Sequence, residues 1–132
     1  MLIEQALMTY LLAQTTITAY VGRRIYFVEA TQPTEQPYMV ISKISGVRLQ
    51  SHEANTHLAH PRFQFTVFAE AYSDAKGCIS ALQTSLQGYS GTMGGVSGVV
   101  VGGAFYDDET DLDRGDKGLY GVAADYIILH GE

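Results

Sequence analysis

At 132 residues the chain has room for one domain, spanning 1–132, and an apolar content of 46% with 17% charged residues suits a packed core rather than disorder. A single cysteine, Cys78, excludes an intrachain disulfide framework and a multi-cysteine zinc site. The net charge of −6 argues against broad phosphate-backbone binding. No apolar run approaches the ~20 residues that span a bilayer, and Met1–Leu12 carries Glu4 but no base, so neither a membrane segment nor a secretory signal is expected and folding is expected in a cytoplasm.

Ile3, Ala6, Leu7, Tyr10 and Leu11 recur at helical spacing and predict a first amphipathic helix. A second, short one follows near Thr16 to Tyr20, stopped by Gly22. Arg24–Val28 is a short β-rich run, and Pro33 and Pro37 bracket a loop. Tyr38–Val47 predicts a second strand whose continuous apolar start, Tyr38 to Ile41, suggests burial on both faces. Arg48–His60 is polar and reads as a long loop joining this strand to the third, Arg62–Ala69, where Phe63, Phe65, Val67 and Ala69 alternate with Arg62, Gln64 and Thr66. Only Phe68 breaks that alternation.

Ser73 offers an N-cap, with Asp74 behind it, for a helix whose stripe is Ala75, Cys78, Ile79, Leu82 and Leu86 and whose stop is Gly88. Val99–Tyr106 predicts a fourth strand. Between Asp107 and Asp116 come six acids (Asp107, Asp108, Glu109, Asp111, Asp113, Asp116) and one base, Arg114, so this segment, which reads as a loop, holds five of the net negative charges. Leu119–Leu129 is a fifth strand with Tyr120, Val122, Ala124, Tyr126 and Ile128 on one face. Consecutive strands without helical crossovers predict an α+β fold: an antiparallel β-sheet with two main helices packed on one face and long hairpin loops.

None of the candidate chemistries completes a set of roles. Asp111-Leu-Asp113-Arg-Gly115-Asp116 departs from a calcium loop, because glycine stands fifth rather than sixth and no Glu stands twelfth. His52, His57 and His60 lack metal-ligand spacing, and no Cys is near. The glycines from Gly91 to Gly98 are followed by neither the Lys-Ser/Thr pair nor the helix of a phosphate loop. Arg114-Gly115-Asp116 is a three-residue adhesion motif easily met by accident. Cys78 lies on an apolar stripe, where a thiol behaves as a small buried hydrophobe. No catalytic, cofactor or metal residue is assigned, and no cofactor is expected.

The order of the pieces resembles the bacteriophage tail-completion (tail-terminator, head-to-tail joining) family. The N-terminal helix leads into Val21-Gly22-Arg23-Arg24-Ile25-Tyr26, similar to that family's short Gly-Arg-Ile-Tyr element. Gln36-Pro37-Tyr38-Met39-Val40 and Ile44-Ser45-Gly46 look like its proline-led second strand. Arg62–Ala69 is similar to its central strand, Tyr72-Ser73-Asp74-Ala75 to the start of its long helix, and Gly118-Leu119-Tyr120 with Asp125-Tyr126 to its last strand.

This resemblance implies a structural virion tail protein and not an enzyme. It implies a ring of identical copies, commonly six, that caps the tail tube, contacts the tube protein and the head-side connector, and lets DNA through without gripping it. Arg48, Gln50, His52, Glu53 and His57 are then candidates for the assembly or tube contact. Asp107, Asp108, Glu109, Asp111, Asp113 and Asp116 either line the channel or an axial face, or form a solvated tip that aids solubility. Two other readings remain: a connector-side adaptor or minor tail protein, and a ligand-binding or enzymatic α+β domain using the Arg48–His60 segment.

Overall fold

A computed structural model describes residues 2–28, 37–45, 48–50, 55–95, 97–112 and 120–131, with side chains apart from those of 45, 48–50 and 55–58. Its first helix, α1 (Ile3–Leu12), buries Ile3, Ala6, Leu7 and Leu11, and Gln5 Oε1 accepts the Leu2 N–H at 2.9 Å, occupying one of the free donors of the first turn. The second, α2 (Thr15–Val21), ends at Gly22, whose φ of 58° lies in the left-handed region that glycine tolerates. After the short β1 (Ile25–Phe27) and the longer β2 (Tyr38–Ser45) come β3 (Arg48–Gln50), β4 (Asn55–Ala59) and β5 (Arg62–Ala69). Then follow α3 (Tyr72–Leu86), β6 (Gly91–Met93), β7 (Val99–Leu112) and β8 (Tyr120–Gly131).

All eight strands belong to one sheet. Its centre runs β1-β2-β5-β8, with β7 on the far side of β8 and β6 outside β7. The fold is α+β, as the element order predicts, and its helices share one face. Among the described strands only β1 and β2 run parallel. Phe63, Phe65, Val67 and Ala69 of β5, with Val122, Ala124, Tyr126 and Ile128 of β8, point to the helical side and are fully buried. They meet Ile17 and Val21 of α2, the α1 residues, and Ala75, Cys78, Ile79, Leu82 and Leu86 of α3 in a single core. Each large aliphatic side chain there contributes ~1.5–3 kcal/mol before chain entropy is subtracted. Phe68, the residue out of phase in β5, stacks on Tyr38 at 5.3 Å on the opposite face, in a small cluster with Val40 and Tyr26.

Three elements depart from the sequence reading. The α3 helix begins at Tyr72 with Ala71 in the cap position, so Ser73 lies inside the first turn, and no side chain caps it. Arg48–His60 is not simply a loop: its described parts are β3 and β4, which continue the β2–β5 hairpin. Register runs unbroken from Arg62↔Ile127 to Ala59↔His130, and Ile128 N–H bonds Pro61 O between them at 3.0 Å. The break at His60–Pro61 thus interrupts one long strand. Finally, β7 does not stop at Tyr106 but carries Asp107 to Leu112 along β8 as far as Gly121.

Candidate functional site

The acidic segment owes its geometry to a β-bulge. Between Tyr106 and Asp108, β7 gains one residue against β8, and an extra residue exchanges the faces of everything after it. Ala104 and Tyr106 face the helices, and beyond the bulge Glu109 and Asp111 do so too, reaching α3. There Lys76 forms ion pairs with Glu109 and, at 3.6 Å, with Asp111, whose Oδ2 also accepts the Tyr72 hydroxyl at 2.7 Å. The hydrogen bond that Lys76 donates to Glu109 raises its ammonium above the ordinary range, and the one that the Tyr72 hydroxyl donates to Asp111 raises that phenol. On the other face Arg62 pairs with Asp107.

Asp108 accepts the neighbouring Glu109 N–H at 2.8 Å and stands directly across from Asp125. Asp113 and Asp116 lie outside the described residues. The expected solvated loop is therefore, in its described part, a strand whose carboxylates are held by Arg62, Lys76 and Tyr72. Those three partners carry no local signal, because each is more than thirty positions away in the chain.

The second candidate segment is elsewhere. Arg48 and Gln50 lie on β3, opposite Ala59 and Asn55, and His57 lies on β4; His52 and Glu53 are outside the described residues. This hairpin meets β8 at His130 and Gly131, whereas Asp108–Leu112 meets it at Gly121–Asp125. Five positions of strand, roughly 17 Å, separate the nearest points, Asp125 and His130. The structure thus keeps the two segments at opposite ends of β8.

The chemistry of the remaining surface is sparse. A groove of about 290 Å³ between α2 and α3 is lined by Thr16, Tyr20, Gly77, Ser80, Ala81 and Thr84, with no acid, imidazole or thiol to form a general-base pair. The groove is narrowed by a close helix crossing, since a Cβ on Gly77 would lie 2.5 Å from the Tyr20 hydroxyl. Cys78 is fully buried, as its place on the α3 stripe predicts, and burial pushes its thiol pKa up to about 12. Among the described residues no three His, Cys, Asp or Glu side chains gather into a metal-binding group, and no helix is long and apolar enough to cross a membrane.

Residues 5–131 match the family model described as tail completion protein gp17. The chain belongs to that family. Membership makes it a structural component of the tail of a phage-like particle, in agreement with the resemblance carried by its Gly22-Arg-Arg-Ile-Tyr and Arg62–Ala69 segments. A chain of the virion of a native gene transfer agent particle shares the fold at a TM-score of 0.74, with 15% identity over 91% of this chain and 87% of that one. No curated protein matches.

Proposed function

We propose that the protein completes the tail: copies close into a ring, commonly of six, on the head-proximal end of the tail tube, stop its growth and receive the head-side connector. It works through surfaces rather than catalysis. The observation that carries this reading is the match to the tail-completion family over residues 5–131. The subunit's geometry suits it, because a ring between two unlike structures needs two unlike axial ends. The β3–β4 hairpin lies at one end of β8 and the acidic end of β7 at the other. On this reading the hairpin, with Arg48, Gln50 and His57, engages the tube or a neighbouring subunit. The acidic end, with Asp107, Asp108, Glu109 and Asp111, borders the channel or its axial mouth and repels DNA phosphates, so DNA passes without being gripped.

Deleting the gene in its parent phage tests the reading. The expected result is tubes of uncontrolled length and unattached filled heads, both corrected by supplying the protein. Tails of normal length joined to heads in its absence would overturn it. Purified protein that binds connectors but not tube ends would assign it to the connector side instead.

A further inference from the structure

We propose that neighbouring copies in the ring meet face to face. The uncharged outer side of α2 and α3 in one copy receives the bare sheet face of the next, with the Tyr26–Tyr38–Phe68 cluster over the α2–α3 groove. The proposal rests on the ring reading above and names the contact that closes the ring.

On that reading the two ends of β8 face the two axial partners, so the strands run along the ring axis. The acidic end of β7 borders the channel, so the β7 side of the sheet points inward and the β1 side outward. The direction perpendicular to the sheet then runs around the ring. Helices cover only one face of the sheet, so each copy turns helices to one neighbour and bare sheet to the other. A closed head-to-tail ring needs two such unlike surfaces on every chain.

The helical surface has the character of a contact. No residue of α2 is charged, and α3 carries no charge after Lys76, across Gly77–Leu86. Thr15, Thr16 and Ala19 of α2 are exposed, as are Ser80, Gln83 and Thr84 of α3. Threonine and serine are weaker helix formers than the Lys or Glu that would serve a wetted helix at these positions. Depletion of charge is what marks the centre of a protein interface. The groove of about 290 Å³ runs between the two helices, with room for an aromatic ring.

The bare sheet face supplies the rings. Tyr38 and Val40 are buried there, while Tyr26 and Phe68, packed against them, are half-buried. Leu112, 39% exposed, extends the cluster past Gly121, where an added Cβ would lie 3.2 Å from Leu112 and from Phe68 alike. Hydroxyls occur on both sides, from Thr16, Ser80 and Thr84 at the groove and Tyr26 and Tyr38 in the cluster, so polar atoms covered by the contact find partners across it.

Groove and cluster also lie back to back. Beneath the groove, α2 packs over β2 and α3 over β5 and β8, while the cluster sits on the other face of β1, β2 and β5. They agree in height as well. Tyr38 is the register partner of Phe68 near the end of β5, and α3 starts from that same end at Tyr72. Ser80 lies eight helical residues from Tyr72, roughly 12 Å. Ser42, two residues past Val40 on the same face of β2, lies four strand residues from Tyr38, roughly 13 Å. One step around the ring, without a shift along its axis, therefore sets the cluster of one copy against the groove of the next.

The test places a charge in the groove of the full chain, as Thr16→Lys or Ser80→Lys. Lysine forms helix at least as well as the residue replaced, so each isolated variant should melt no lower than the wild type. Self-association should nevertheless weaken at least about tenfold, because the contact would bury an unpaired charge. Ser42→Cys with Ser80→Cys, treated with a short bis-maleimide, should give a ladder of covalent species up to the ring number; Cys78 is buried and stays unmodified. Each single-cysteine variant should stay uncrosslinked. Rings seen by negative stain for both lysine variants at wild-type affinity, or rings of the double-cysteine variant without a ladder, would overturn this contact and leave the ring standing. Lysine variants that form normal rings but no longer bind tube ends would give the groove to the tube protein and overturn it too. Dimers formed equally by one single-cysteine variant would mean a twofold contact, with the same consequence. A wild-type chain that stays monomeric even with tube ends present would remove the ring and this contact together.

Discussion

Asp108 and Asp125 face each other across β7 and β8, two carboxylates on one open sheet face with no cation beside either among the described residues. Directly opposed like charges cost a strand pair ~0.2–1 kcal/mol. Asp125→Asn should therefore raise the melting temperature by roughly 1–4 °C in the isolated subunit. The gain should shrink in high salt, where exposed charges are screened. A lower melting temperature at low salt would show that Asp125 makes a stabilising contact not accounted for by this arrangement.

Tyr126 presents the converse case. Its ring is fully buried, in edge contact with Phe65 at 5.7 Å and Tyr106 at 5.8 Å, yet its hydroxyl has no hydrogen-bond partner among the described residues. Burial drives its phenol pKa well up. Removing a buried hydroxyl that bonds nothing relieves a desolvation cost. Tyr126→Phe is expected to leave stability unchanged or to raise it by up to ~1 kcal/mol in denaturant titration. Tyr126→Leu should lower it, through lost ring packing. A loss of ~2 kcal/mol or more in the Phe variant would mean that the hydroxyl is satisfied.

The Cys78 thiol should react only when the core opens. It is fully buried against the sheet, and burial has pushed its pKa up to about 12, so almost no thiolate is present at neutral pH. Labelling at pH 8 should be slower than that of the denatured chain by orders of magnitude and should speed up with denaturant in step with unfolding. Rapid labelling of the native protein would contradict this packing.

How far the chain could be read in advance depended on whether a signal was local. The α3 stripe from Ala75 to Leu86 and the alternation of Phe63, Phe65 and Val67 are periodicities within one element, and both landed on the core as read. Phe68 looked like a flaw in that alternation only because its partners, Tyr38 and Tyr26, come from other strands. The misread segments share one cause. Asp and Asn are poor strand formers, so Asn55–Ala59 and Asp107–Leu112 look like loops when taken alone. What makes them strands is β8: the hairpin end follows its last residues and the acidic end its first ones. The charged site was legible as a composition but not as a structure, since nothing around Lys76 or Arg62 announces which carboxylate each will meet.

The Lys76 network yields a prediction whose sign depends on pH. Lys76 holds Glu109 and Asp111 against α3, and Tyr72 closes the group through Asp111. Its side chain is 36% exposed, so solvent screening limits the whole contribution to ~1 kcal/mol. Lys76→Met keeps most of the stem and removes the charge, and it should lower stability by ~0.5–1 kcal/mol at pH 7. Because the folded-state pKa of Lys76 is raised, chiefly by the Glu109 hydrogen bond, the contribution is fully present below the unfolded lysine value of about 10.4 and is lost as pH rises through the higher folded value. Tyrosines ionise in the same range, so the informative quantity is the stability difference between wild type and Lys76→Met at each pH. That difference should be flat from pH 7 to about 9.5 and shrink above it. In a Glu109→Gln background it should be much smaller at every pH. A gap that widens with rising pH, or one indifferent to Glu109→Gln, would mean that the methylene stem of Lys76 and not its charge ties β7 to α3.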